Sequence, residues 1–204
     1  MLRFAFYLLL VGALTASAAV TTVLWLYLPQ LPDVETLREV RLQVPLRIYT
    51  ADGELMAEYG EKRRVPVAIE AVPDRVVNAF LAAEDDRFYS HPGVDLMALT
   101  RAVIELARTG EKRQGGSTIT MQVARNFFLT RDRTYERKLK EILLALKIER
   151  ALSKDEILEL YLNKIFLGHR SYGIGAAASV YYAPPLEALT LAPPAMLAPL
   201  PKAP

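Results

Sequence analysis

The 204-residue chain contains no cysteine. That excludes disulfides, thiolate nucleophiles and cysteine-ligated metals. Its only histidines, His91 and His169, are too few for a His-rich metal site. Excess charge is scarce as well. The 25 Lys and Arg stand against 23 Asp and Glu, a net +2, so no strong field draws nucleic acid. There is no internal repeat, no low-complexity tract, no GxxxxGK[ST] phosphate loop and no SxxK acyl-serine site.

The most telling absence is local. No charged residue occurs from Phe4 to Leu28. As a helix this run reaches about 37 Å, enough to cross a hydrocarbon core of ~30 Å with tilt. Trp25 and Tyr27 stand where an interfacial aromatic anchor belongs. A cleaved signal peptide is the competing reading, because Ala16-Ser17-Ala18 has the small-x-small form. The apolar run continues past Ala18, which a cleavable signal does not need. Arg3 gives a weak positive-inside signal that puts the rest of the chain outside the cytoplasm.

The expected organisation is a cytoplasmic tip and transmembrane helix over 1–28, a connector with a β hairpin over 29–72, and a mainly α domain over 73–204. The hairpin pairs LRIYT with LMAEY around Asp52-Gly53. From Pro73 on, the period is helical. Val76, Val77, Phe80 and Leu81 share one face. Asp95 is expected to cap a helix over 96–108, and Ser117 one over 118–129. A helix over 135–152 turns Leu139, Ile142, Leu143 and Leu146 inward. Ser153 to Glu156 form a capping box for a helix that Gly168 ends. Residues 173–182, small and apolar, read as a buried helix.

Three polar clusters carry the chemistry. In the first, EDDRFYSHPGVD (84–95), Glu84 follows Phe80 by four residues and lies on the apolar face near a helix C-terminus. Burial and the helix dipole both disfavour its charge, which suits a proton-transfer group. The bland alternative is a solvated helix-end glutamate. The second, GGSTITMQVARN (115–126), is a turn feeding a helix N-terminus, where free amides favour an anion. Thr118, Gln122, Arg125 and Asn126 fall broadly on one polar face, against the alternative of a solvated surface. In the third, RKLKE (137–141), Arg137, Lys138 and Glu141 share a side. They form either a surface ion pair or a cationic pyrophosphate site, with Glu141 orienting the bases or helping to bind a cation.

In this order, and with KDEILELYLNKIFLG downstream, the blocks resemble the peptidoglycan glycosyltransferase domain of class A penicillin-binding proteins and monofunctional transglycosylases. The resemblance covers roughly residues 30–204. It implies a lysozyme-like α fold on the outer face of the cytoplasmic membrane. It also implies polymerisation of lipid II into glycan strands, with release of undecaprenyl pyrophosphate. Glu84 falls on the family's general base and Glu141 on its second glutamate. Asp85, Phe88, His91 and Gly93 complete the first motif. Gly115, Ser117, Thr118, Gln122, Arg125 and Asn126 match the second, and Arg137 and Lys138 the third. Tyr161, Asn163 and Gly168 match a fourth, assigned to scaffolding. Met121 stands where the family usually has Gln, and Arg125 where Lys is common. Pro184-Pro185 and Pro193-Pro194 are expected to interrupt a helical region. The chain stops where bifunctional relatives continue toward a transpeptidase domain.

The implied reaction inverts the anomeric centre with one glutamate base, helped by a divalent cation (Mg or Mn) and no organic cofactor. The implied partners are lipid II, the nascent glycan, the bilayer and cell-wall assembly proteins. Two rivals stay open: a muramidase-like lytic enzyme and a catalytically silent assembly module.

Overall fold

The computed structural model describes residues 2–110, 116–130, 132, 134–182 and 192–202. It divides into two compact units, Met1–Asp33 and Val34–Pro204.

The first unit is α1 (Leu2–Tyr27), followed by a short 3₁₀ turn. Its 26 residues reach about 39 Å. Large apolar side chains point outward along its length, from Phe4 at 72% exposure to Trp25 at 75%. A helix apolar on all sides belongs inside a bilayer or a core. Two of its three threonines conceal their hydroxyls by donating to the preceding turn, Thr15 to Val11 O (3.0 Å) and Thr22 to Ala18 O (2.9 Å).

The second unit is mainly α. It opens with the expected hairpin, β1 (Leu46–Tyr49) antiparallel to β2 (Leu55–Tyr59), with Gly53 at φ +87° in the turn. A second, unforeseen pair is parallel: β3 (Arg63–Arg64) runs beside β4 (Ser171–Tyr172). The helices are α2 (Asp74–Glu84), α3 (Leu96–Thr109), α4 (Ile119–Phe128), α5 (Tyr135–Ala151), α6 (Lys154–Lys164), α7 (Ile174–Tyr181) and α8 (Ala192–Leu197). α4 packs on α5 and α6, and α2 packs on α8.

α4 is the centre of this unit. Ile119 through Ala124 are all buried, so it is no solvated helix. Around it lie Phe80, Phe88, Leu144, Ile148, Ile157, Leu158, Tyr161 and Leu162, each 0–1% exposed. On α5 the deepest positions are Glu141, Leu144, Ala145 and Ile148. Of the expected inward set, Leu143 is buried as well, while Ile142 and Leu146 are partly buried and pack on a second cluster with Leu99, Val94 and Met121. A helix covered on two sides has no single apolar stripe.

Three boundaries differ from expectation. Thr118, not Ser117, caps α4, by accepting from Met121 N–H at 3.2 Å. The 153–156 capping box is present, but α6 ends at Lys164, before Gly168. Pro193 and Pro194 do not interrupt a helix. They open α8, where the first-turn N–H groups have no intrahelical acceptor to lose. Pro184 and Pro185 lie outside the described residues. In α7, Gly175 is required by proximity, since a Cβ there would come within 2.3 Å of the Val65 carbonyl oxygen.

Candidate active site

The first cluster forms a buried bracket. Asp85, 7% exposed, accepts from the His91 ring at 2.9 and 3.0 Å and from the Ile119 N–H at 3.0 Å. Ile119 opens α4, so the carboxylate sits at a helix N-terminus, where its charge is favoured. His91 Nδ1 accepts from Gly93 N–H (3.2 Å), which leaves the proton on Nε2, facing Asp85. Gly93 has φ +89°, and a Cβ there would meet Glu149 Cγ at 2.7 Å. Thr118 donates to the Gly93 carbonyl (2.6 Å), joining this loop to the α4 cap. Lys154 closes the bracket from α6. It donates to His91 O and to Glu149, both at 2.7 Å, and lies 4.4 Å from the centre of the buried Phe88 ring. Asp85, Phe88, His91 and Thr118 therefore face each other, behind the cleft.

Glu84 ends α2 on the other side of this bracket and is half-buried. Its Oε2 accepts from Gln122 Nε2 at 2.8 Å. Gln122 is itself buried on α4, one turn before Arg125. Beneath them lies Tyr161, fully buried, with its ring edge-on to Phe80 (6.4 Å between centroids). Its hydroxyl is pushed well above the ordinary value by burial and by the negative charge of Glu84, with Arg125 acting the other way.

The third cluster is not a surface pair. Glu141 is 1% exposed and holds two cations: Arg137 on Oε1, and Lys138 on Oε2 at 3.0 Å. Lys138 also donates to Ser117 Oγ at 2.6 Å. The Ser117 hydroxyl therefore ties α5 to the turn before α4. Burial pushes the Lys138 ammonium down to about 8, with Arg125 and Arg137 adding to the effect. Gly115 lies outside the described residues.

Gln122, Arg125, Asn126 and Arg137 line a cleft of about 520 Å³, while Glu84, Lys138 and Glu141 are not among its lining residues and reach it only through Gln122 and Arg137. Lys62 and Lys164 also line it, with Phe166 and Tyr172. The sequence reading missed these four. They come from β4, the residue before β3, the last residue of α6 and the segment just after it, which only the fold brings to the cleft, and an isolated lysine has no spacing to betray it. No Asp or Glu is among the lining residues. Both Glu141 oxygens are engaged by cations. Among the described residues, no group of three or more His, Asp or Glu side chains is placed to hold a metal. This donor set does not fit a resident divalent cation, which needs several free oxygens. The arrangement can instead take a proton at Glu84 and hold an anion at Arg125, Arg137 and Lys138.

A family model described as Transglycosylase matches residues 52–204. The chain is 58% identical over 176 residues to penicillin-binding protein 1A of Escherichia coli (strain K12), covering 86% of this chain and 21% of that protein. It is 48% identical over 206 residues to penicillin-binding protein 1A of Vibrio cholerae, covering 100% of this chain and 25% of that one. A crystal structure of penicillin-binding protein 1A from Haemophilus influenzae aligns with a TM-score of 0.40 at 36% identity, over 81% of this chain and 15% of that one. The chain spans about a fifth to a quarter of the length of the curated relatives.

Proposed function

The chain belongs to the transglycosylase family, and from that premise we propose that it is a peptidoglycan glycosyltransferase polymerising lipid II with release of undecaprenyl pyrophosphate. Glu84 takes the proton of the acceptor sugar hydroxyl as that oxygen attacks the anomeric carbon of the donor. The bond from that carbon to the phosphate oxygen breaks, and the configuration inverts. Negative charge collects on the departing pyrophosphate, where Arg125, Arg137 and Lys138 stabilise it. Glu141 keeps Arg137 and Lys138 in place rather than meeting the sugar. A divalent cation, where one takes part, enters with the substrate phosphates, because the described residues offer it no ligand set.

One observation carries the reading. Gln122, which lines a cation-rich cleft one helical turn from Arg125, donates its amide N–H to the Glu84 carboxylate directly behind it. A lytic glycosidase must protonate a poor alkoxide leaving group and so needs a second carboxylic acid. Glu141, ion-paired twice, is unsuited to that task.

Under this reading residues 1–28 anchor the enzyme, 29–72 connect and 73–204 carry the transfer, on the outer face of the cytoplasmic membrane. α3 gives lipid contact, since Leu96, Met97 and Ile104 are 72%, 64% and 51% exposed. The test is incubation of purified protein with labelled lipid II. Wild type forms polymer, and Glu84→Gln loses about 10²-fold or more in rate with an unchanged melting curve. Polymerisation by Glu84→Gln at the wild-type rate would refute the assignment of the base. Shortening of preformed glycan without lipid release would install the lytic rival.

A further inference from the structure

No step of the transfer uses the Tyr161 hydroxyl, although it lies buried beneath the base. Tyr161 stands in the third turn of α6 and is 0% exposed. Its ring packs edge-on to Phe80. Phe80 precedes Glu84 by one turn on the same face of α2. The Tyr161 hydroxyl is buried and has no hydrogen-bond partner among the described residues. Tyr181 differs, since its hydroxyl donates to Leu167 O at 2.7 Å. Phe80 and Phe88, equally deep, carry no polar tip at all. A buried hydroxyl left unsatisfied weakens a core, so an oxygen at this depth points to a small polar partner such as a single water.

The charges around the phenol show which way it acts. Glu84 and Asp85 reach it from the end of α2, and Arg125 from α4. The Asp85 oxygens are engaged by the His91 ring and the Ile119 N–H. α5, packed on α4, brings Arg137, Lys138 and Glu141, which pair with one another. α8, packed on α2, carries no titratable side chain, and α7, packed on α6, brings only Tyr181. Glu70, on the 3₁₀ turn against α6, is exposed, and Lys164, one turn on along α6, lies 4.4 Å from the Phe127 ring centre. Glu84 is therefore the carboxylate that the hydroxyl can serve. Burial, and after it the charge of Glu84, holds the phenol proton well above its ordinary value, so the group donates throughout the working pH range. We propose that Tyr161 is a positioning residue for the transfer: through one buried water its hydroxyl donates to the Glu84 carboxylate, keeping the base charged and aimed until the acceptor arrives. Gln122 from α4 and this water from α6 then hold the carboxylate from two sides. The inference rests on the reading of Glu84 as the base.

The full chain in detergent micelles is compared with Tyr161→Phe, which keeps the ring against Phe80 and so keeps the fold. First, kcat with labelled lipid II is followed against pH. Loss of the bond disfavours the carboxylate, so the acid limb moves up by about half to one unit, roughly three- to tenfold in rate on that limb. The alkaline limb, set by Lys138, stays in place. Second, the protein carrying carbon-13 glutamate is titrated by NMR without substrate. The Glu84 signal is the one lost in Glu84→Gln, and its midpoint moves up by the same amount in Tyr161→Phe. A tyrosine that only fills the core gives a different pattern, with the rate scaled by one factor at every pH and the midpoint unmoved. An unmoved limb or an unmoved midpoint overturns the proposal. The NMR reading needs no turnover, so the two proposals fail separately. A midpoint that moves in a protein that does not polymerise removes only the enzymatic reading. Polymerisation through Glu84 with an unmoved midpoint removes only the role of Tyr161.

Discussion

Lys138 is the residue whose charge is least secure. Its ammonium loses the proton near pH 8, against about 10.4 for an unperturbed lysine. Between those values the unfolded chain binds the proton more tightly than the folded one. Stability therefore rises with pH across that window, while the positive charge offered to a leaving pyrophosphate falls. Activity and stability should separate. The polymerisation rate is expected to drop as pH passes 8, with the melting temperature unaffected by this group or slightly raised. Lys138→Arg keeps its charge throughout, so its pH–rate profile should lose that limb even if its maximal rate is lower. A limb that persists at pH 8 in Lys138→Arg assigns the titration to another group. At this scale the sequence was legible in part. The letters at 84, 125, 137, 138 and 141 suggested a base and an anion site. Spacing could not tell a surface ion pair from a carboxylate with 1% exposure.

At the scale of elements, α5 and α7 are each held by a contact that a single substitution tests. Glu141 is the counter-charge for two cations on its own helix, and its replacement leaves both without a carboxylate. Glu141→Leu should destabilise the domain by on the order of 3 kcal/mol, read by chemical denaturation, because breaking a buried pair strands the partner charges. Glu141→Gln, which keeps acceptor capacity, should lose less. Gly175→Ala tests a different force. The added methyl has only the Val65 carbonyl and the Val67 side chain to displace, so α7 must part from the segment leading out of β3. A loss of about 1–3 kcal/mol is expected in the same assay, the range for overpacking. An unchanged midpoint would mean that the segment yields freely. The capping box of α6 and the hairpin turn were readable, since both rest on interactions within four residues. The β3–β4 pair was not, because its register joins Arg63 to Ser171 across more than half the chain.

For the whole molecule, the two compact units divide after Asp33. The second has its own core around α4, so a chain beginning at Val34 is expected to melt cooperatively, within a few degrees of the full chain. Polymerisation of lipid II in vesicles should fall about tenfold or more, because the tether's effective concentration is gone. Activity in detergent, where nothing needs tethering, should change little. Flotation with vesicles and circular dichroism check the two halves. A shortened chain that fails to fold would show that α1 contributes to stability.

The amino-acid order by itself determined the elements with local causes: a charge-free run long enough to span a bilayer, helices with caps, a hairpin with Asp-Gly at its turn, and the three polar clusters. Tertiary structure alone decided which of those polar groups meet. Packing of α4 against α5 and α6 turned Asp85 and His91 into a bracket and set Glu84 on Gln122. It also brought Lys62 and Lys164 to one cleft from opposite ends of the domain. Local propensity acts over a few residues, whereas the electrostatics of a cleft depend on distances that only burial of the core sets.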